Sequence, residues 1–289
     1  MSTQCIGVVG AGVMGTDVAL ELSCHNYQVL LKDLTDKLLD KACKRIKKQY
    51  RFLQMMKKDA PSCSLSDVLS RITLVTNYEH FDEVSIVVEN VTEDFQVKEQ
   101  VYGELKEACR DDVVFGVNTS CISITRIASQ MPKPQNVIGM HFLNPVPLIS
   151  LVEVVRGYHT SDETVEMTKR FLKSLDKTCV VVNDCPGFVT NRVLMLTINE
   201  CIWLVHDGVA SPADIDMIFK AGFAHKMGPL ATADLIGLDT VLNSLLILYE
   251  SYKDIKFRPC PLLHSMVYAG LLGQKTGKGF FEYHTGMYA

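Results

Sequence analysis

Apolar and polar positions alternate along the first two thirds of the chain in a pattern that predicts strands separated by helices. Short apolar runs, typical of buried strands, fall at residues 5–9, 28–31, 72–75, 86–88, 113–117, 137–142, 151–155 and 179–182. Between them lie helical patterns, including residues 97–108 and a long lysine-bearing segment over 35–70 that Pro61 interrupts. Alternating strands and helices predict an α/β fold built on a doubly wound parallel sheet of the Rossmann type.

The pattern changes after Asp184. This residue precedes Pro186 and is suited to cap a helix that begins there. Helical periodicity then covers residues 188–206, 211–219 and 235–250, and a strand-like run returns only near residue 280. We therefore expect two domains, an α/β domain over residues 1–184 and an all-helical domain over residues 185–289.

Composition excludes several classes of protein. The chain has 289 residues, 47% of them hydrophobic, which is enough to build two ordinary cores. Its net charge of −4 argues against a nucleic-acid partner, because such proteins carry a basic surface. The ten cysteines are spread singly without C-x-x-C spacing, so we expect reduced thiols in a cytoplasmic protein and no metal site. We expect neither a signal peptide nor a membrane span, since no apolar stretch is long enough.

The sequence Gly10-Ala11-Gly12-Val13-Met14-Gly15 follows the first predicted strand and opens the first predicted helix. In this context the G-x-G-x-x-G spacing predicts a dinucleotide-binding turn. Gly10 permits the tight turn, Gly12 lets the backbone approach a pyrophosphate, and Gly15 lets helix and strand pack closely. The N–H groups of the helix N-terminus, which includes Val13 and Met14, are suited to bind the phosphates. The alternative interpretation is a glycine-rich turn that binds no ligand.

Asp33 follows the second predicted strand, 18 residues after Gly15. Its carboxylate is placed to accept hydrogen bonds from both hydroxyls of a ribose and to repel a 2′-phosphate. This position favours NAD over NADP as the cofactor, and the neighbouring Lys32 weakens the preference slightly.

Two ionisable residues interrupt the apolar stretch GMHFLNPVPLISLVEVVRG at residues 139–157. His141 and Glu153 each occupy a position where a buried strand normally carries an apolar side chain, and a buried carboxylate is unfavourable unless it has a partner. If the two strands run side by side, Glu153 can bond one ring nitrogen and leave the other to take a proton. Beside a nicotinamide, this pair predicts alcohol oxidation with His141 as the base. The alternative interpretation is a histidine that is simply satisfied in the core.

Seven blocks of the sequence carry a resemblance to a known family: VVGAGVMG, VVENVTEDFQVK, NTSCISIT, GMHFLNPVPLISLVEVVRG, CPGFVTNRVL, MGPLATADLIGLD and GQKTGKGFFEY. Over nearly its whole length the chain resembles the 3-hydroxyacyl-CoA dehydrogenases, of the short 3-hydroxybutyryl-CoA dehydrogenase type. The resemblance implies that His141 is the general base, that Glu153 orients it, and that Ser120 and Asn191 bind the substrate's oxygens. It also implies NAD contacts from Glu93, Lys98, Ser120, Asn144 and Lys275.

The positions of these residues in the predicted elements support some of the implied roles. Ser120 follows the predicted strand 113–117 at the carboxyl edge of the sheet, where such folds bind ligands, although a serine here is also suited to cap the segment at Ile124. Asn191 lies one turn into the first helix of the second domain, where it would reach across a cleft or be solvated. Lys275 lies in a Gly-Gln-Lys-Thr-Gly turn that equally suits a surface loop.

Some positions depart from the family pattern. Asp17 stands where the family usually has Gly, and a carboxylate there would crowd or repel a pyrophosphate. Asn90 and Thr92 stand in a block that often has Ala and Pro. The resemblance also implies a homodimer formed by the helical domain. The apolar helical segments 193–205 and 241–248 offer surface for it, and they equally suit the ordinary core of that domain.

The departures are similar to a branch of polyketide pathways that oxidises glyceryl on an acyl-carrier protein, on the route to hydroxymalonyl or methoxymalonyl extender units. Two thioester carriers, coenzyme A and an acyl-carrier protein, therefore stay open. Lys57 and Lys58 are candidates for coenzyme A phosphates, with a solvated helix end as the alternative. Lys226, where Pro is common, is a candidate to bind a polar acyl group or an acidic carrier protein.

Two further interpretations belong to other classes. One is an NAD-binding protein that has lost catalysis and serves a structural or sensing role; the joint presence of His141, Glu153, Ser120 and Asn191 argues against it. The other is a dehydrogenase of the 6-phosphogluconate or 3-hydroxyisobutyrate type. Those enzymes use a lysine as the base, so replacing His141 would spare their activity.

Overall fold

The computed structural model describes residues 4–56 and 63–283 of the chain. They belong to two compact units, residues 1–185 and residues 186–289. The domain boundary predicted from the sequence lies after Asp184. All ten cysteines lie within the described residues, and none of them is in a disulfide.

An eight-stranded sheet forms the centre of the first unit. Its strands are β1 Cys5–Val9, β2 Gln28–Lys32, β3 Ile72–Val75, β4 Ile86–Glu89, β5 Val114–Val117, β6 Val137–Phe142, β7 Leu151–Arg156 and β8 Thr178–Asn183. They lie in the order β3-β2-β1-β4-β5-β6-β7-β8, so the chain crosses from one side of β1 to the other between β3 and β4. The carboxyl ends of β1 and β4 therefore form the crevice where doubly wound sheets bind ligands.

The α/β prediction is confirmed, and one detail of the sheet differs from it. Neighbouring strands are parallel except β6 and β7, which are antiparallel. The reason is the short connection between them, residues 143–150, which holds no helix. A parallel return needs a crossover of a dozen or more residues, whereas antiparallel strands can follow each other directly.

Within the described residues, six α-helices accompany this sheet: α1 Val13–Cys24, α2 Asp36–Met56, α3 Leu65–Ser70, α4 Phe95–Ala108, α5 Ile124–Ala128 and α6 Asp162–Ser174. The predicted break at Pro61 lies outside the described residues. Asp184 does not cap a helix at Pro186. Its carboxylate instead accepts hydrogen bonds from the Ser123 hydroxyl and the Thr125 N–H, both at 2.7 Å, and so holds the start of α5.

The second unit is helical, as expected. Its helices are α7 Thr190–His206, α8 Pro212–Gly222, α9 Pro229–Ile236, α10 Leu238–Tyr252 and α11 Pro261–Tyr268. The prediction of a single helix over 235–250 is wrong. Gly237 takes a φ of +99°, and this left-handed backbone conformation ends α9 before α10 begins. The strand expected near residue 280 is also wrong. Among the described residues this tail forms only isolated bridges, and Asp234 holds it by accepting hydrogen bonds from the N–H groups of Phe280 (3.0 Å) and Phe281 (2.9 Å).

Within the described part of the chain, no single helix has both the length and the apolar character needed to cross a membrane. The helices α9 and α10 reach that length and apolar character only when they are taken together, and they are bent by 97° at the break between them.

Asp17 is a buried carboxylate in the middle of α1. Its side chain is 1% exposed, and its nearest charged partner is the guanidinium of Arg45 on α2, 3.6 Å from Oδ1. Burial raises the pKa of Asp17 to about 6, an effect that Arg45 opposes and Glu21 reinforces. A carboxylate at this position of the sequence is expected to crowd or repel a pyrophosphate. The structure gives it a buried position and an arginine partner, and its effect on the cofactor stays a prediction.

We expect the Asp17→Asn substitution to stabilise the protein above pH 6. The pKa of Asp17 is raised in the folded state, so the folded protein retains a proton that the unfolded chain loses between pH 4 and 6, and stability falls as the pH rises through this range. The shift from 3.8 to about 6 corresponds to at most about 3 kcal/mol. Urea unfolding of the wild type and the variant at pH 4, 6 and 8 measures the difference in their free energies of unfolding. A variant that is no more stable than the wild type at pH 8 would contradict the prediction; Asp40→Asn, at an exposed site on α2, is the control.

Candidate active site

The glycine turn lies between β1 and α1, and each glycine has a distinct environment. Gly10 takes a φ of +89°, and a Cβ atom there would lie 2.8 Å from the carbonyl oxygen of Asn90. A Cβ atom at Gly15 would collide with the carbonyl oxygen of Gly10. At Gly12 a Cβ atom would meet no atom within 4 Å, so open space faces this residue. Gly12 precedes α1 without a side-chain cap, which leaves the N–H groups of the first turn suited to a phosphate.

Asp33 connects the end of β2 to the glycine turn. One carboxylate oxygen accepts a hydrogen bond from the Ala11 N–H at 2.8 Å, and the other accepts one from the Leu34 N–H at 2.7 Å. Each oxygen retains acceptor capacity for a ribose hydroxyl. Lys32 is 5% exposed, and its ammonium lies 4.5 Å from the centre of the Tyr78 ring. The turn and the carboxylate together fit the adenosine and pyrophosphate parts of NAD.

His141 and Glu153 are directly opposite each other in the antiparallel pair of β6 and β7. Opposed residues in such a pair project from the same face of the sheet. The Nδ1 atom of His141 lies 3.0 Å from Oε2 of Glu153, and the two residues are 5% and 4% exposed. The two polar interruptions of the apolar stretch are thus one buried, hydrogen-bonded pair.

Ser120 lies on the other side of the imidazole. Its Oγ atom is 3.1 Å from Nε2 of His141. Ser120 does not cap α5, because Ser123 fills that role by accepting a hydrogen bond from the Arg126 N–H. The structure therefore brings Ser120, His141 and Glu153 together in one line of hydrogen-bonding groups.

Glu93 holds the loop that carries Ser120. Its Oε1 atom accepts hydrogen bonds from the Thr119 hydroxyl at 2.6 Å, the Ser120 N–H at 3.0 Å and the Cys121 N–H at 2.8 Å. The family resemblance implies that Glu93 contacts NAD and does not indicate this anchoring of the loop. Glu93 follows β4 and Ser120 follows β5, and these two strands are neighbours in the sheet. Their positions after neighbouring strands are the sequence signal that could have indicated this contact.

Lys98 and Glu89 form a second buried pair, at the end of β4. The Nζ atom of Lys98 lies 2.8 Å from each carboxylate oxygen of Glu89 and 3.4 Å from the carbonyl oxygen of Asn118. Both side chains are 0% exposed, and burial raises the pKa of Glu89 against the lowering effect of Lys98. The ammonium of Lys98 thus has partners within the protein, and its direct contact with NAD stays a prediction.

Asn144 is exposed in the connection between β6 and β7. The ammonium of Lys177 anchors this connection by donating hydrogen bonds to the carbonyl oxygens of Val146 (2.7 Å) and Ile149 (3.1 Å). Lys177 also pairs with Glu21 of α1 at 2.8 Å. The loop that carries Asn144 is therefore fixed to the glycine-turn helix, and a contact of Asn144 with NAD stays a prediction.

The other predicted site residues belong to the second unit or fall outside the described residues. Asn191 lies in the first turn of α7. Lys275 lies in a short 3₁₀ turn and forms an ion pair with Asp239, while Lys226 is exposed between α8 and α9. Lys57 and Lys58 lie outside the described residues.

Comparison with known proteins matches both units to one family. Residues 5–185 match the model of the 3-hydroxyacyl-CoA dehydrogenase NAD binding domain, and residues 187–283 match that of the 3-hydroxyacyl-CoA dehydrogenase C-terminal domain. A probable 3-hydroxybutyryl-CoA dehydrogenase of Bacillus subtilis is 41% identical over 283 residues, which is 98% of either chain. One of Deinococcus radiodurans is 43% identical over 279 residues, 96% of this chain and 99% of the relative.

Solved structures agree with these matches. The structure of (S)-3-hydroxybutyryl-CoA dehydrogenase PaaH1 from Ralstonia eutropha has a TM-score of 0.89 at 37% identity, covering 98% of this chain and 100% of the other. That of FadB2 from M. tuberculosis has a TM-score of 0.92 at 35% identity, with the same coverage of 98% and 100%.

Proposed function

The chain belongs to the 3-hydroxyacyl-CoA dehydrogenase family, and from this premise we propose that His141 and Glu153 catalyse oxidation of the 3-hydroxyl of a 3-hydroxyacyl thioester. As a member of the family it is an NAD-dependent oxidoreductase. The observation that carries the proposal is the line from Ser120 Oγ to His141 Nε2 at 3.1 Å and from His141 Nδ1 to Glu153 at 3.0 Å.

In the proposed mechanism Glu153 fixes the tautomer of the imidazole. Its carboxylate accepts a hydrogen bond from the Nδ1–H group of His141, so that the proton stays on Nδ1 and Nε2 presents a lone pair. The substrate hydroxyl lies against Nε2 and Ser120, and Nε2 takes its proton as the carbon loses hydride. NAD, when bound, supplies the acceptor for that hydride. The imidazolium that results is stabilised by Glu153, and the low exposure of both side chains keeps water from competing.

Other residues are assigned by the resemblance alone. We propose that Asn191 binds a substrate oxygen and that Glu93, Lys98, Asn144 and Lys275 contribute to NAD binding. Asp33 supports a preference for NAD over NADP, because a carboxylate that already bonds the glycine turn would repel a 2′-phosphate. The cytoplasmic location stays a prediction of the sequence.

The interpretation as a structural protein without catalysis is less well supported. A scaffold has no use for a histidine and a carboxylate paired in the interior, since an apolar pair of similar volume is generally no less stable. The interpretation with a lysine base is also less well supported, because the ammonium groups of Lys98 and Lys177 are paired with the carboxylates of Glu89 and Glu21. Loss of activity on replacing His141 would exclude both.

The carrier of the thioester separates two candidate substrates. 3-Hydroxybutyryl-CoA is favoured by the names of the relatives, and glyceryl on an acyl-carrier protein by the departures at Asn90 and Lys226. We expect NADH formation from 3-hydroxybutyryl-CoA with kcat/KM in the range of about 10⁴–10⁸ M⁻¹s⁻¹ that is typical of enzymes. Absorbance at 340 nm measures NADH formation from each of the two substrates in parallel assays. The Lys226→Ala variant, assayed with both substrates, tests whether the Lys226 side chain contributes to binding either of them.

The paired assay has separate outcomes for the two candidates. Turnover of the coenzyme A ester with none of the carrier-bound substrate would remove the polyketide alternative. Turnover of the carrier-bound substrate alone would remove the coenzyme A ester as the substrate. Turnover of neither would contradict the proposed function.

We also propose a homodimer that uses the second unit. Met217 and Ile218 on α8 are 59% and 56% exposed, and Phe223 beyond it is 65% exposed, which is unusual for adjacent large apolar side chains. The expectation that α10 supplies this surface is weakened, because most of its apolar side chains are buried in the core of the unit. Light scattering should give twice the 32.2 kDa of one chain, and a monomer at micromolar concentration would refute the proposal.

A further inference from the structure

We propose that Asn90 is a positioning residue for the reaction. Its side-chain oxygen fixes the amide of Asn118, and Asn118 holds the strand that carries His141 beside the loop that carries Ser120. The inference rests on the proposed function, since it assumes that His141 and Ser120 act on the substrate.

Asn118 lies just beyond β5, where three strands end, and all of its hydrogen-bonding groups are used. Its backbone N–H donates to the carbonyl oxygen of Glu89 at 2.9 Å, and its own carbonyl oxygen accepts from Lys98 at 3.4 Å. In the side chain, Nδ2 donates to Oδ1 of Asn90 at 2.7 Å, and Oδ1 accepts from the Phe142 N–H at 3.2 Å. The residue is 8% exposed, so water offers little replacement for these bonds.

The bond from Phe142 to Asn118 matters because the backbone ladder has already ended at that point. Paired residues of β5 and β6 stop at Val117 and Gly139, two residues before His141. Beyond this pair, the Asn118 side chain supplies the acceptor that a longer β5 would have provided. It therefore attaches the end of β6, next to His141, to the start of the loop that leads to Ser120.

Asn90 determines which way the Asn118 amide faces. The Nδ2 group of Asn90 donates to the carbonyl oxygen of Val88 at 2.9 Å, which turns its Oδ1 atom toward Asn118. With that acceptor in place, the NH₂ group of Asn118 faces Asn90 and its oxygen faces Phe142. Without the Asn90 oxygen, the Asn118 amide can rotate and present its NH₂ group to the Phe142 N–H. These two groups are both donors, so they repel each other. The consequence is a shift of His141 relative to Ser120.

We expect Asn90→Ala to lower kcat by about 10- to 100-fold, the range for a displacement of reacting groups by up to about 1 Å. The KM values for NAD and thioester should stay within about two-fold, because neither ligand loses a contact. Asn118→Ala should lower kcat at least as far. The double variant should be no slower than Asn118→Ala, since Asn90 acts only through that residue. The assays are run well below the thermal midpoint of each variant, with NADH binding as the check on folding.

The control is Asn136→Ala, which removes a similar amide bond, from Nδ2 to the Asp111 carbonyl oxygen at 3.0 Å, on an exposed part of the same unit. Its kcat should equal that of the wild type. A kcat of Asn90→Ala within two-fold of the wild type would overturn the inference, as would losses for Asn90→Ala and Asn118→Ala that multiply in the double variant. His141→Gln is assayed in parallel. If it retains activity, the proposed function has failed; if it is inactive while Asn90→Ala is normal, only the present inference has failed.

Discussion

Replacing His141 with glutamine should lower kcat by roughly 10²–10⁴-fold, the range expected when a positioned general base is removed. Glutamine can still donate a hydrogen bond to Glu153 but cannot take a proton from the substrate hydroxyl. The residue lies on β6, apart from the glycine turn and Asp33, so the affinity for NADH should be unchanged. Steady-state turnover with a 3-hydroxyacyl thioester and fluorescence titration with NADH measure the two effects.

A matched control is His159→Gln, which changes an exposed histidine of the same unit and should leave kcat as it is. Full activity of His141→Gln would mean that another group serves as the base, as in the dehydrogenases that use lysine. Loss of NADH binding together with activity would instead mean that the substitution disturbed the fold. The proposed role requires turnover to fall while binding remains.

Replacing Lys98 with methionine should destabilise the protein by roughly 3–5 kcal/mol, because it leaves the carboxylate of Glu89 buried without its cation. Methionine occupies a similar volume, so the lost charge rather than a cavity causes the effect. The burial that already raises the pKa of Glu89 would then act without opposition from Lys98. Urea unfolding at pH 7 measures the change.

Two variants test the cause of that loss. Glu89→Gln combined with Lys98→Met removes both charges, and the amide oxygen of glutamine can still accept the hydrogen bond from the Val91 N–H, which is 2.6 Å from Oε1 of Glu89. We expect the double variant to regain most of the lost stability. Lys106→Met, at an exposed position of α4, should change stability by less than about 0.5 kcal/mol. A double variant as unstable as Lys98→Met would show that the pair is not the cause.

The sequence determined which segments form the sheet and where the glycine turn between β1 and α1 lies. Both depend on short-range properties, namely the run of apolar residues in each strand and the conformational freedom of Gly10, Gly12 and Gly15. The same local signal marked His141 and Glu153, because an ionisable side chain in an apolar strand needs a partner. The hydrogen bond between them agrees with that prediction, and their role in catalysis is still a proposal.

Only the tertiary structure decided how the ends of the strands are joined. The antiparallel register that sets His141 opposite Glu153 depends on pairing between strands, which a local pattern does not specify. The anchoring of Ser120 by Glu93 and of Phe142 by Asn118 joins residues more than twenty positions apart, and no local pattern in the sequence indicates that these residues are partners. Asp184 shows the same limit: its position before Pro186 favoured a local cap, yet folding placed it against α5. Hydrogen bonds between distant residues depend on which strand ends meet, and that becomes fixed only when the sheet forms.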